Sequence, residues 1–163
     1  MIASLIARIR RNHGLEHATI HVLAQRDPSL RVVGRTTPGG FYLYGDLTTK
    51  EVRSAVEQAI ARLQQGEAHL ALHPHCGTNL ATAGFLAGLS AFVVLLPRSR
   101  RRIDQLPFAI LAATLATIAA QPLGFVLQSR FTTTSDVQRL IVKRITRRQQ
   151  NRLTVHFVET ATY

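Results

Sequence analysis

The chain has 163 residues, 46% of them hydrophobic, and a formal net charge of +11 at pH 7. This length suits one domain or a small domain with a membrane hairpin, and the single cysteine excludes an internal disulfide. Because the apolar fraction and the net charge are both high, we expect basic and apolar residues to occupy different segments. The sequence contains no P-loop, dinucleotide-binding fingerprint or internal repeat.

The first predicted element is a helix that begins at the N-terminus. Residues 1–11 are amphipathic, with isoleucine and leucine on one side and arginines on the other. We expect this part to lie in the membrane interface, with an ordinary half-buried helix as the alternative. The helical pattern continues through residues 13–24 and stops at Asp27-Pro28. A signal peptide is not predicted, because the segment lacks a continuous apolar core and a cleavage site.

Within this helix, His13, Glu16 and His17 spell H-x-x-E-H, and His21 follows one turn later. Positions i, i+3 and i+4 of a helix share one face. Two imidazoles one turn apart can bind one zinc ion, and a carboxylate between them can accept a proton from a metal-bound water. This is the inverted-zincin arrangement. It predicts His13 and His17 as ligands, Glu16 as general base and His21 as an additional candidate ligand. Gly14 weakens the helix by about 1 kcal/mol relative to Ala but permits close approach of another backbone to the metal.

Two short β-rich runs and a second helix follow. Residues 30–36 and 41–44 predict a hairpin around Thr37-Pro-Gly-Gly40. A capping box at Thr48-Thr-Lys-Glu51 predicts a helix that extends to about Gln65. Residues 68–73 then alternate as a strand would, with His69 and His73 on one face, which makes His69 another candidate ligand.

The only cysteine lies in a second histidine cluster, Leu72-His-Pro-His-Cys-Gly-Thr-Asn79. Five of the seven histidines lie either here or in the first cluster, so we predict that the two clusters share one metal ion. His73 or Cys76 would supply the third ligand, or both would, and His75 is a further candidate. Zinc is the expected metal and Fe²⁺ the alternative. Thr78 or Asn79 is expected to cap the helix that follows.

Two apolar runs without a charged residue, Leu80–Pro97 and Leu106–Gln128, are each long enough to cross a bilayer. Gly84 and Gly88 give the first run a small-residue face for close helix packing, or for pairing with a second copy or another membrane protein. Alanines four residues apart provide a matching face on the second run. Four arginines between the runs are expected at the membrane surface: Arg98, Arg100, Arg101 and Arg102.

The last segment predicts a basic β-hairpin, with strands at Val137–Thr146 and Arg152–Thr160 around Arg147–Asn151. The expected fold class is therefore α+β, a small mixed helix and sheet domain with an inserted two-helix transmembrane hairpin and a C-terminal β-hairpin. The predicted boundaries are residues 1–79 for a metal-binding domain, 80–128 for the membrane hairpin and 129–163 for the basic hairpin packing on the first domain.

The two motifs His13-Gly-Leu-Glu-His-Ala and His73-Pro-His-Cys-Gly-Thr resemble the paired H-G-A-E-H-K and H-P-R-C-G-T motifs of the YqhQ-like family. Members of that family are bacterial membrane proteins described only as predicted metal-dependent enzymes. The resemblance covers about residues 12–127 and implies metal binding and a membrane location, but no substrate. The departures are Leu15, Ala18 and His75, and the last two remove positive charges of the family pattern.

Three functions fit these patterns. The first is a membrane-associated, metal-dependent hydrolase, peptidase-like, with Glu16 as its base. The second is a non-enzymatic membrane scaffold or assembly factor in which the metal is structural. The third uses the arginines to bind RNA. Lipid is favoured over nucleic acid as the partner, because few aromatic residues accompany the arginines. The expected location is the bacterial inner membrane, with the soluble parts in the cytoplasm.

Overall fold

One long helix, α1, covers Ile2–Arg26 and joins the two helical patterns of the N-terminal sequence into a single element. The computed structural model describes residues 2–96, 102–150 and 153–163. The chain divides into two units. The first contains residues 1–73 and 129–163, and the second contains residues 74–128.

Within its described residues, the first unit contains a four-stranded antiparallel sheet in the order β1-β2-β4-β3. Its strands are β1 (Val33–Thr37), β2 (Gly40–Tyr44), β3 (Leu140–Gln150) and β4 (Leu153–Thr162). Pairing of β1 with β2 and of β3 with β4 forms the two hairpins that the alternating sequence predicted, and pairing of β2 with β4 joins the hairpins into one sheet. Residues 151 and 152 of the second turn lie outside the described residues.

Helix α2 (Thr49–Gln64) begins at the predicted capping box. Thr48 accepts a hydrogen bond from the Glu51 amide, and the Glu51 carboxylate accepts one from the Thr48 amide at 2.7 Å. The Thr48 hydroxyl also donates to the Glu51 carboxylate at 2.7 Å, and this bond together with that from the Thr48 amide holds the pKa of Glu51 below its usual value. Helices α1 and α2 pack together, and their apolar side chains meet those of β2 and β4 in one core. Among its fully buried members are Leu15, Phe41, Leu43, Val52 and Val158.

The prediction of a strand at residues 68–73 is wrong. Residues Ala68–Ala71 form a 3₁₀ helix, in which the Leu70 amide donates to Glu67 and the Leu72 amide to His69, both at 3.1 Å. These hydrogen bonds are local, so the segment needs no neighbouring strand. The alternation of polar and apolar residues was too short to distinguish the two structures.

The second unit contains two helices, α3 (Gly77–Leu95) and α4 (Arg102–Leu127), and α4 continues as a π-helical turn at Gln128–Thr132. Cys76 caps α3 and its sulfur accepts from the Thr78 amide at 3.5 Å, so the prediction that Thr78 or Asn79 is the cap is wrong. Asn79 accepts instead from the Gln128 side chain at 2.5 Å. Gly124 lets the helices approach there, because a Cβ atom would overlap the Asn79 side chain.

Two helical stretches, Gly77–Leu95 and Ile103–Thr132, are long and apolar enough to cross a membrane, by length and composition. Large apolar side chains on both are exposed, among them Phe85, Phe92, Phe108, Ile110 and Ile118. A Cβ atom at Gly84 or Gly88 would meet nothing within 4 Å, so these glycines do not pack against α4, contrary to the expected pairing with its alanines. The predicted surface arginines Arg98, Arg100 and Arg101 and the Arg102 side chain lie outside the described part of the structure.

One histidine of the first unit, His156 on β4, is buried against α2. His156 has no exposed surface, and its Nε2 lies 3.2 Å from the Thr49 hydroxyl. Among the described residues its Nδ1 has no hydrogen-bond partner. Burial lowers the pKa of His156, and the positive charge of Arg147 lowers it further.

We therefore predict that the free energy of unfolding falls as the pH drops below about 6.5, where an unfolded histidine takes up a proton that the native site disfavours. Replacing His156→Gln should remove up to about 1.4 kcal/mol of this loss per pH unit. Denaturant unfolding of wild type and variant in detergent, at about pH 7.5 and about pH 5.5, measures how the free energy of unfolding depends on pH. Equal pH dependence of wild type and variant would contradict the prediction.

Candidate metal centre

Four histidine rings of the first unit lie in a row. His13, His17 and His21 come from successive turns of α1, and His73 follows the 3₁₀ helix. The ring centroids are 4.4 Å apart for His13 and His17, 5.7 Å for His17 and His73, and 5.0 Å for His73 and His21. The structure thus brings together His13, His17 and His73, which the two motifs predicted as ligands, and His21, which was predicted as an additional candidate.

Backbone carbonyls fix the orientation of the three rings on α1. The Nδ1 atoms of His13 and His17 each lie 2.9 Å from a carbonyl oxygen, that of Thr132 and that of Ala71. The Nε2 atom of His21 lies 2.8 Å from the Leu72 carbonyl oxygen. A carbonyl can only accept, so each of these nitrogens donates a proton.

The tautomers follow from these hydrogen bonds. A neutral imidazole that donates through Nδ1 keeps a lone pair on Nε2, and one that donates through Nε2 keeps a lone pair on Nδ1. His13 and His17 therefore offer Nε2 to a metal, and His21 offers Nδ1. A hydrogen bond from the second ring nitrogen to a carbonyl is the usual support of metal-ligating histidines. Two imidazoles sharing a tetrahedral zinc ion, with Zn–N distances of about 2 Å, have centroids about 5 Å apart, close to the spacings observed.

The carbonyl that supports His13 comes from a segment far away in sequence. We call residues Thr132–Thr134 the strap, since this segment crosses α1. Arg10 donates to the Thr133 carbonyl at 3.0 Å, and the Thr134 amide donates to the Arg10 carbonyl at 3.2 Å. Gly14 admits the crossing, because a Cβ atom there would overlap the Thr134 carbonyl oxygen. The backbone that approaches Gly14 is therefore that of the strap.

Glu16 lies on the sheet side of α1. It is 5% exposed, and its carboxylate accepts a hydrogen bond from the Thr36 hydroxyl of β1. Gly34 makes room for it, since a Cβ atom on that residue would overlap the Glu16 carboxylate. A buried carboxylate held by a hydroxyl is fixed in place, which is the condition for a proton acceptor of defined geometry.

The other sequence-predicted residues are placed as follows. His69 is exposed on the 3₁₀ helix, and the strand geometry that suggested it as a ligand is absent from that described segment. His75 and Cys76 belong to the second unit, where His75 is exposed and Cys76 caps α3. Both line a cavity of about 390 Å³ between α3 and α4, together with Asn79, Leu80 and other residues of the hairpin.

Sequence reasoning missed the supporting groups. The Thr132 carbonyl stands 119 residues from His13, and the Thr36 hydroxyl stands 20 residues from Glu16. Neither belongs to a recognisable motif. A weak signal was available at Gly34, because a glycine inside a predicted strand often marks a close approach by another group.

The chain is similar to a protein family and to a cyanobacterial protein, and the descriptions of both assign no activity. A family model described as "Domain of unknown function (DUF6391)" matches residues 8–145, which include both histidine clusters. An uncharacterised protein of the cyanobacterium Picosynechococcus sp. is 40% identical over 139 residues, covering 77% of this chain and 65% of that protein. The chain therefore spans just under two thirds of the length of this relative. No solved structure matches the chain significantly.

The contact between Gly14 and the strap gives a test of the packing that supports His13. Replacing glycine by alanine inside a helix normally stabilises by about 1 kcal/mol. At Gly14 we predict the opposite sign, a destabilisation of about 1–3 kcal/mol, because the new methyl group overlaps the Thr134 carbonyl.

Gly88→Ala is the matched control, since its methyl group would enter open space on α3. Thermal unfolding of both variants in the same detergent provides the comparison. If Gly14→Ala unfolded at the same temperature as Gly88→Ala, the prediction that the strap packs closely against Gly14 would be wrong.

Proposed function

We propose that this chain, which belongs to the DUF6391 family, is a membrane-associated hydrolase that depends on a zinc ion held by α1. The observation that carries the proposal is the set of carbonyl hydrogen bonds to His13, His17 and His21. Each leaves a ring nitrogen with a lone pair, and neighbouring rings have the spacing of imidazoles around one ion. The resemblance of the two histidine motifs to those of the YqhQ-like family points to the same chemistry.

His13 and His17 are the first two ligands in this proposal. His73 or Cys76 supplies the third, and Fe²⁺ is the alternative metal. Cys76 follows His73 by three residues, so the chain keeps their Cα atoms within about 11 Å of each other. Three protein ligands would leave the fourth position of a zinc ion for water and substrate, as in catalytic zinc sites.

The proposed reaction is hydrolysis of an amide or ester bond. Zinc would supply polarisation of the substrate carbonyl and acidification of a water molecule to a pKa of about 7. Glu16 accepts a proton from the attacking water while the water oxygen forms a bond to the carbonyl carbon. Glu16 then returns that proton to the leaving amine or alkoxide as its bond to the same carbon breaks. The Thr36 hydroxyl holds the carboxylate in position through this exchange.

The substrate is proposed to be a peptide or lipid at the membrane. Cys76 caps α3 and thus directly precedes the first apolar helix, so a Cys76 ligand would tie the reaction to the membrane surface. Anionic lipid near the four arginines of residues 98–102 and a helix partner at Gly84 and Gly88 belong to this proposal. So does a location in the bacterial inner membrane with the soluble parts in the cytoplasm.

A second candidate is a non-enzymatic membrane scaffold with a structural metal. The observation in its favour is the number of potential ligands. His13, His17, His73 and Cys76 would close a four-coordinate shell with no position for water. Glu16 would then serve the packing of α1 on β1 through Thr36.

Metal binding is tested by removing one ligand. We predict that His17→Ala reduces zinc affinity by more than the roughly 10- to 100-fold that removal of a supporting hydrogen bond costs. His69→Ala is the matched control, because His69 is exposed and stands outside the row of rings. Competition with a chromophoric chelator measures both affinities. Equal affinity of the two variants, or no zinc in the wild type, would rule out the centre.

Hydrolysis is tested at Glu16. We predict that Glu16→Gln keeps the zinc and lowers the hydrolysis rate about 10²- to 10⁴-fold, because the amide cannot accept the proton. The control is Glu57→Gln on the exposed face of α2. p-Nitrophenyl acetate and fluorescein-labelled casein in detergent serve as ester and peptide probes. An unchanged rate in the Glu16 variant would exclude the proposed base.

X-ray absorption on wild type and Cys76→Ser separates the two candidates. A shell with a bound water supports the hydrolase, with His73 as the third ligand if the shell is retained in the variant and Cys76 if a sulfur is lost. A closed shell that contains sulfur and disappears when Cys76 is replaced supports the structural role.

A further inference from the structure

The sheet of the first unit has a second face, opposite the one on which α1 and α2 pack. Gly34 and Thr36 of β1 point towards Glu16 of α1, so the alternate residues of that strand point away. Strand pairing then assigns the residues of the other strands. We define the outer face by these side chains: Val33, Arg35, Thr37, Tyr42, Tyr44, Arg144, Thr146, Arg148, Val155, Phe157 and Glu159.

Aromatic rings occupy the middle of the outer face. Tyr42 and Tyr44 lie on β2 and Phe157 lies on β4, and these are the two central strands. The centroid of the Tyr42 ring is 4.6 Å from that of Phe157, with 35° between the ring planes, and 6.2 Å from that of Tyr44. All three side chains are half-buried, so they form a continuous patch within the sheet surface.

Arginines stand on both sides of this patch. Arg35 is on the edge strand β1, in register with Tyr42, and Arg144 and Arg148 are on the opposite edge strand β3. All three are exposed. The acidic group of the face, Glu159, is paired with Arg144 at 3.0 Å. The outer face is therefore aromatic at its centre and net positive at its edges.

We propose that the outer face binds single-stranded nucleic acid. Unpaired bases stack on aromatic side chains of a sheet surface, and arginines beside the rings hold the phosphates. In the common RNA-binding sheets, too, the stacking aromatics lie on a four-stranded sheet with helices behind it. The bases would cover Tyr42, Tyr44 and Phe157, and the backbone would pass Arg35 or the arginines of β3.

An anionic membrane is the other partner that basic and aromatic residues attract, and the geometry of the face disfavours it. Aromatic side chains that anchor a protein in a bilayer project into it, whereas Tyr42 and Phe157 lie against each other within the sheet surface.

The test measures binding of short fluorescein-labelled oligouridylate to the full-length protein in neutral detergent, by fluorescence anisotropy. The double variant Tyr42→Leu with Phe157→Leu keeps apolar side chains in the sheet but removes both rings. We expect it to bind about 5- to 100-fold more weakly than wild type. Tyr163→Leu is the control, because that tyrosine is exposed at the C-terminus and lies outside the outer face.

The arginines are tested by salt dependence. Arg35→Gln or Arg148→Gln should each reduce the slope of log affinity against log salt by about 0.7 for each phosphate that the arginine neutralises. Arg53→Gln makes the same change of charge on the exposed face of α2 and should leave the slope unchanged.

Three results would overturn the proposal. The first is oligouridylate affinity that is the same in the aromatic double variant and in Tyr163→Leu. The second is equal affinity for duplex RNA of the same length, in which the bases are not free to stack. The third is binding to phosphatidylglycerol vesicles, but not to oligouridylate, that depends on the same residues. Oligodeoxythymidylate compares DNA with RNA, and binding that persists in EDTA separates the outer face from the metal centre.

Discussion

The packing around α1 is the constraint on which the first unit depends. The helix contacts α2, β1, β2 and the 3₁₀ helix, and the strap crosses it at Gly14. Its residues Leu15, Ala18 and Thr19 have no exposed surface. Towards the sheet, Asn12 donates to the Thr37 carbonyl and accepts from the Thr160 hydroxyl. A helix held on so many sides cannot rotate, and this fixes the direction of its three histidines.

The carbonyls that orient these histidines share a structural origin. Those of Ala71 and Leu72 belong to the end of the 3₁₀ helix, and that of Thr132 ends the π-helical turn after α4. Carbonyls in the last turn of a helix lack a partner inside the helix and carry partial negative charge. The ring N–H groups donate hydrogen bonds to these carbonyls. The ends of two short irregular helices therefore orient the three rings of α1. A regular strand at residues 68–73 would have turned such carbonyls towards a neighbouring strand instead.

The sheet separates the two chemistries that we propose. On its inner face Thr36 donates a hydrogen bond to the Glu16 carboxylate and Gly34 makes room for it, beside the apolar core. Its outer face carries the aromatic patch and the arginines at its edges. Because neighbouring residues of a strand point to opposite faces, Arg35 lies on the outer face while Gly34 and Thr36 lie on the inner face.

Local sequence determined the elements of this protein and the residues of its candidate centre. The capping box at Thr48, the alternation in both hairpins and the uncharged runs after Cys76 are patterns of neighbouring residues, and they predicted the α+β fold. The spacing of His13 and His17 needed only the helical repeat. Segment 68–73 failed, because a few alternating residues suit either a strand or a 3₁₀ helix.

Tertiary structure alone decided how the candidate centre is supported and what the outer face displays. The carbonyl of Thr132 and the hydroxyl of Thr36 reach α1 from distant parts of the chain, and no local pattern encodes such contacts. Likewise, the pairing of Tyr42 with Phe157 depends on the register between β2 and β4, which are separated by most of the sequence. Register follows from the packing of whole strands on a core, so it became visible only once the sheet was assembled.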